Sequence, residues 1–142
     1  MVFIFTYGGI GVNIRRGSFY QTSYPNFIPK TTPVGCVVGP SDTVQDMRWD
    51  HDLWFNKTEE LAEAGAKLII WSELTTNVQD ENDEKTFIQR TQQLAIKHNV
   101  YIGVTYALVE PVPKNKLVFV NKQGEIAIDY NKAHPVPGVV SL

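Results

Sequence analysis

The chain has 142 residues, 43% of them hydrophobic and 11% aromatic, which is enough apolar material for one domain with its own core. Thirteen Lys and Arg against fifteen Asp and Glu give a formal net charge of −2, so there is no excess positive charge to hold a nucleic-acid backbone. The one cysteine, Cys36, excludes an internal disulfide framework, no group of Cys and His has the spacing of a metal site, and no cofactor is expected.

Residues 1–16, MVFIFTYGGIGVNIRR, form an apolar run closed by Arg15 and Arg16. It is shorter than the roughly twenty residues needed to cross a bilayer and reads as the last turns of a membrane helix, with a buried or frayed strand as the alternative. The arginines follow the apolar run instead of preceding it, which argues against a secretory signal. Residues 17–33 contain three prolines among Ser, Thr, Asn and aromatics without periodicity, as a linker does, and the folded unit is expected from Val34 to residue 142.

Within that unit, VGCVV (34–38) is a short apolar, β-branched run closed by Gly39 and Pro40 and predicts a buried strand. The following segment places Trp49, Leu53, Leu61 and Ala64 near helical spacing before Gly65, a stop signal. KLIIWSE predicts a second strand, and TTNVQDENDE reads as a polar linker. The next helix puts Phe87, Ile88, Thr91, Leu94, Ala95 and His98 on one face and ends at Asn99. VYIGVTYALV alternates as a strand, and KLVFVNKQGEIAIDY divides at Gln123 and Gly124 into a hairpin. Strand, helix, strand, helix, strand and hairpin together imply an α/β domain with the first three strands parallel and helices covering one face.

Functional side chains in such sheets gather at the carboxyl ends of strands, where Glu73 is expected. Burial at the mouth of LIIWS would raise its pKa toward the range of a general base, although a Glu there also serves as a cap or a solvated group. Lys132 stands in NKAHPVPG, a loop whose prolines Pro135 and Pro137 fix the backbone and could aim a positive charge at a developing oxyanion. His134 could position a substrate or support that loop. His98 reads as packing or helix capping, and the Asn56-Lys57-Thr58 sequon falls on a helix, where chance occurrence is favoured. Trp49, Trp54 and Trp71 read as core.

The run IIWSE, a helix, HNVYIGVTYA and the hairpin NKQGEIAIDYNKAHPVPG resembles the carbon–nitrogen hydrolase (nitrilase) superfamily over residues 34–138, about three-quarters of the chain. The YNKAHPVPG loop is most similar to the apolipoprotein N-acyltransferase branch. The resemblance implies the N-terminal portion of an α-β-β-α sandwich that acts through a Glu–Lys–Cys triad. In it Glu73 would be the general base and Lys132 the oxyanion-stabilising cation. It also implies an acyl donor, a phospholipid in that branch, an amine acceptor, attachment to membrane helices, and dimerisation. The family's nucleophilic cysteine lies on a later strand beyond the lysine loop and is expected to be absent here, making this chain inactive by itself. Cys36 falls in mid-strand among apolar neighbours and reads as a small hydrophobe. Val139 and Val140 stand where the acyltransferase branch has an acidic residue, so the closing VVSL reads as foreign to the pattern, as in a truncated reading frame. Ser72 occupies a position where relatives often carry proline. The alternative reading is a non-catalytic binding or regulatory fragment of the same fold.

Overall fold

A computed structural model describes residues 3–5, 31–40 and 45–133. Its centre is a mixed sheet of β1 (Phe3–Phe5), β2 (Val34–Val37), β3 (Leu68–Trp71), β4 (Thr76–Val78), β5 (Tyr101–Leu108), β6 (Lys114–Val120) and β7 (Ile126–Asn131). A 3-10 turn (Gln45–Trp49) leads into helix α1 (His51–Glu63), and α2 (Glu81–His98) crosses from β4 to β5. The spatial order is β1-β2-β3-β5-β6-β7, with β4 paired to β5 beyond the end of β3. Strands β2, β3 and β5 are parallel, as the alternation of elements implies, and β5, β6 and β7 form an antiparallel meander.

At the N-terminal side Phe3–Phe5 is a strand, the alternative reading of the first segment, pairing antiparallel with Val34–Cys36. Among the described residues no helix is long and apolar enough to cross a membrane. Most of the expected linker, His134 and the VVSL terminus lie outside the described residues.

Helix α1 begins where the Asp50 side chain accepts the Leu53 N–H and ends at Gly65, whose φ of 98° belongs to the left-handed region. Its buried face is Trp54, Phe55, Thr58 and Leu61. Trp49 instead lies in the preceding 3-10 turn, 48% exposed, and Ala64 is the exposed C-cap. The buried face therefore keeps Leu61 from the expected one but is rotated toward Trp54, Phe55 and Thr58. Helix α2 is capped by Asp80, which accepts the Asn82 and Asp83 N–H groups, and it ends at left-handed Asn99. Phe87, Thr91, Leu94 and Ala95 are buried, as the spacing predicts.

Both helices cover one face of the sheet. Gly35 admits Leu61 of α1 so closely that a Cβ there would stand 3.1 Å from its side chain. Phe55, Trp71, Phe87 and Tyr106 pack ring to ring with centroids 5.1–5.9 Å apart, and Ile69, Ile102, Val104, Val118 and Val120 complete this core. The buried Trp71 indole donates to Thr58 Oγ1, whose own hydroxyl donates to the Trp54 carbonyl, so the threonine of the sequon is enclosed in the core. The opposite face carries Val34, Cys36, Leu68, Ile70, Tyr101, Leu117, Phe119, Ile128 and Tyr130, only partly buried or exposed.

Candidate active site

The site arises from an interruption in strand pairing. Strand β3 follows the first half of β5, pairing Leu68–Ile70 with Tyr101–Gly103, and β4 resumes beside its second half, pairing Thr76–Val78 with Tyr106–Leu108. Between them Ser72–Thr75 bows out of the sheet, with Leu74 at a φ of 54°, a conformation that costs a non-glycine residue about 1 kcal/mol. Hydrogen bonds from the β2 side, from β5 and within the bow itself hold it. The Ser72 N–H donates to the Val37 carbonyl, and the Ser72 carbonyl accepts the hydroxyls of Thr75 and, from β5, Thr105. The Ser72 hydroxyl accepts the Gly39 N–H at 2.9 Å, a contact that proline at this position would lack. Gly39 is needed there, since a Cβ would come within 2.8 Å of Thr75 Cα. The two-methylene stem of Glu73 thus starts from a braced backbone.

Lys132 follows β7, and its N–H donates to the Asn115 carbonyl of β6 at 2.9 Å. Its ammonium donates to Glu73 Oε1, closing an ion pair between residues 59 apart in sequence. The Asn115 side-chain amide donates to the same oxygen at 2.7 Å. These groups border a cavity of about 280 Å³ that is also lined by Thr105, Leu117 and Tyr130, on the sheet face away from the helices. The Glu73 side chain is 56% exposed and that of Lys132 29% exposed.

The expected upward shift of the Glu73 pKa is overturned. Hydrogen bonding from Lys132, then from Asn115, and the lysine's charge hold its carboxyl below the usual carboxylate range, and burial opposes them only weakly. Glu73 is therefore an anion near neutral pH, able to accept a proton.

The structure thus brings Glu73 and Lys132 together, while Cys36 lies in the middle of β2, opposite Ile70 and partly buried. Sequence reasoning missed Asn115 and Thr105. Asn115 shares its strand face with Leu117 and Phe119, so an amide at the start of an otherwise apolar stripe was the available signal. His98 is bonded to Glu59 of α1 at 2.9 Å, a helix-to-helix contact rather than a cap. Among the described residues no group of His, Cys, Asp and Glu could hold a metal ion.

Comparison with solved structures identifies the architecture. A mutant of the Nesterenkonia AN1 amidase from the nitrilase superfamily matches 78% of this chain at a TM-score of 0.57 and 14% identity. A carbon–nitrogen hydrolase from Helicobacter pylori matches 74% at 0.53 and 18% identity. The fold is a partial nitrilase fold. The C. elegans NitFhit protein matches 77% of the chain at 0.50 and 19% identity. The chain spans 47%, 40% and 30% of the length of these three proteins respectively. Neither protein-family models nor curated protein sequences give a match.

Proposed function

We propose that the chain is the N-terminal part of a carbon–nitrogen hydrolase-type catalytic unit that cleaves or forms amide bonds through a cysteine thioester, its thiol supplied from outside this sequence. The observation supporting this reading is the ion pair of Lys132 with Glu73 over an open cavity, on a fold shared with amidases. Glu73 takes the thiol proton, and the thiolate attacks the substrate carbonyl. The Lys132 ammonium stabilises the negative oxygen that forms. The C–N bond of an amide substrate, or the C–O bond of an ester donor, then breaks, and the proton held by Glu73 passes to the departing amine or alcohol. Water cleaves the thioester to give a hydrolase, and an amine cleaves it to give an N-acyltransferase.

The finer acyltransferase assignment rests on the YNKAHPVPG loop, with an acyl donor such as a phospholipid, an amine acceptor, membrane attachment and dimerisation belonging to the same reading. His134 has a supporting role in it, close in sequence to Lys132. In this reading the 142-residue chain is inactive alone. Incubation with a labelled activated acyl donor, followed by mass spectrometry, tests this. The expected result is no thioester on Cys36, and a hydroxylamine-labile acyl group there would overturn it. Sequencing the transcript past codon 142 tests the fragment reading, which expects an in-frame continuation containing a strand that ends in Cys. The partly exposed apolar sheet face favours a second reading, a non-catalytic element that pairs with a partner through that face. Acyl transfer restored by such a continuation would exclude it.

A further inference from the structure

Among the described residues, Asn115 is the one that holds both members of the pair. Its side-chain amide donates to Glu73 Oε1, and its backbone carbonyl accepts the Lys132 N–H. Lys132 Nζ also addresses Oε1, so both donors converge on one carboxylate oxygen, and among the described residues Oε2 has no hydrogen-bond partner. The residue itself is held firmly. Asn115 is buried to 8% exposure, and its neighbour Lys116 points to the other sheet face, where it is bonded to Glu84 of α2 and Asp129 of β7.

We propose that Asn115 is a positioning residue that fixes Glu73 Oε1 and reserves Oε2 as the oxygen that accepts the proton. An unconstrained carboxylate rotates about its terminal torsion, which is broad and roughly two-fold, and presents either oxygen to a proton donor. Two donors on Oε1, one from β6 and one just past β7, remove that freedom. They also leave the lone pairs of Oε2 free on a side chain that borders the cavity. The lysine is then kept from serving as the sole brake on the carboxylate, and it can turn toward a developing oxyanion while Asn115 retains Oε1.

This inference rests on the proposed general-base role of Glu73, but its test needs neither nucleophile nor substrate. The probe is carboxyl-13C and side-chain-15N NMR titration of the full 142-residue chain. The Asn115 amide resonances are expected to move with the same midpoint as the Glu73 carboxyl. In Asn115→Leu the Glu73 midpoint moves upward, and in the near-isosteric Asn115→Asp it moves upward further because a like charge replaces the donor. An unchanged midpoint in either folded variant, or amide resonances in the unsubstituted chain that ignore the Glu73 titration, overturns the assignment. If Asn115→Leu fails to fold, Asn115→Asp and the unsubstituted chain still decide. A negative outcome here leaves the thioester reading standing. Conversely, a transcript that does not continue into a Cys-bearing strand sinks that reading without altering this titration.

Discussion

Two lysine–carboxylate clusters lie back to back across the sheet, supplied by consecutive residues of one strand. On the helix side, Lys116 donates to Glu84 and Asp129, and the Tyr106 hydroxyl also donates to Glu84 at 2.5 Å. On the open side, Asn115 and Lys132 converge on Glu73. The side chains of Lys116 and Glu84 are 10% and 17% exposed, against 29% and 56% for Lys132 and Glu73. Burial raises the Glu84 pKa, but the hydrogen bonds from Lys116 and Tyr106 outweigh it and hold the group below its usual range. Burial likewise lowers Lys116, and its bonds to Glu84 and Asp129 raise it further than burial lowers it. The same chemistry therefore serves two ends. The enclosed cluster ties α2 to β6 and β7, while the open one leaves a carboxylate bordering a cavity.

Breaking the helix side should cost most. Phe87→Ala empties the centre of the ring cluster and is expected to destabilise the chain by about 4 kcal/mol in urea denaturation, since the surrounding rings are held by separate elements and collapse poorly. Lys116→Met removes the cation from a carboxylate that is mostly buried and is expected to cost about 3 kcal/mol. The loss should shrink in Lys116→Met combined with Glu84→Gln, because no uncompensated charge then remains. An additive double variant would mean that the two groups are not coupled.

The order of strands and helices, the buried face of α2 and the placement of Glu73 at a strand end were legible because each depends on local periodicity or on punctuation by Gly65, Asn99 and Gly124. Strand β4 was not, since three residues in a polar stretch carry no alternation and are strand only because β5 offers a pairing edge. The meeting of Asn115 with Lys132 was hidden by a single irregularity. Near the turn Val120 pairs with Ile126, but from Phe119 onward the register is shifted by one, so Phe119 pairs with Ile128 and Lys116 with Asn131. Without that bulge the alternation would send Lys132 to the helix side, away from Glu73. The Glu73 pKa was misjudged for a related reason. The strand-end position suggested desolvation, while the partner that decides the direction comes from a distant hairpin.

Acid titration separates the two clusters further. Both carboxyls are depressed in the folded chain, so the stability they contribute is present above the unfolded value near 4.5 and is lost as pH falls through the folded values. Glu84→Gln should therefore flatten the acid limb of the stability profile more than Glu73→Gln does, the enclosed pair being less screened by water. Equal flattening would place the two pairs in equivalent surroundings and remove the distinction drawn above.

At neutral pH, Glu73→Gln is expected to change stability by about 0.5 kcal/mol, within the usual range for a solvent-exposed ion pair. The fold should hold because the bow at Ser72–Thr75 is secured by the Ser72 backbone and by hydroxyls of Thr75 and Thr105, none of which needs the Glu73 carboxylate. Thr105→Val, which withdraws one of those hydroxyls from the Ser72 carbonyl, should cost more, about 1 kcal/mol, although Thr105 carries no charge. If Glu73→Gln instead proves the costlier substitution, the carboxylate is a structural tie like Glu84, and the open cluster loses its claim to chemistry.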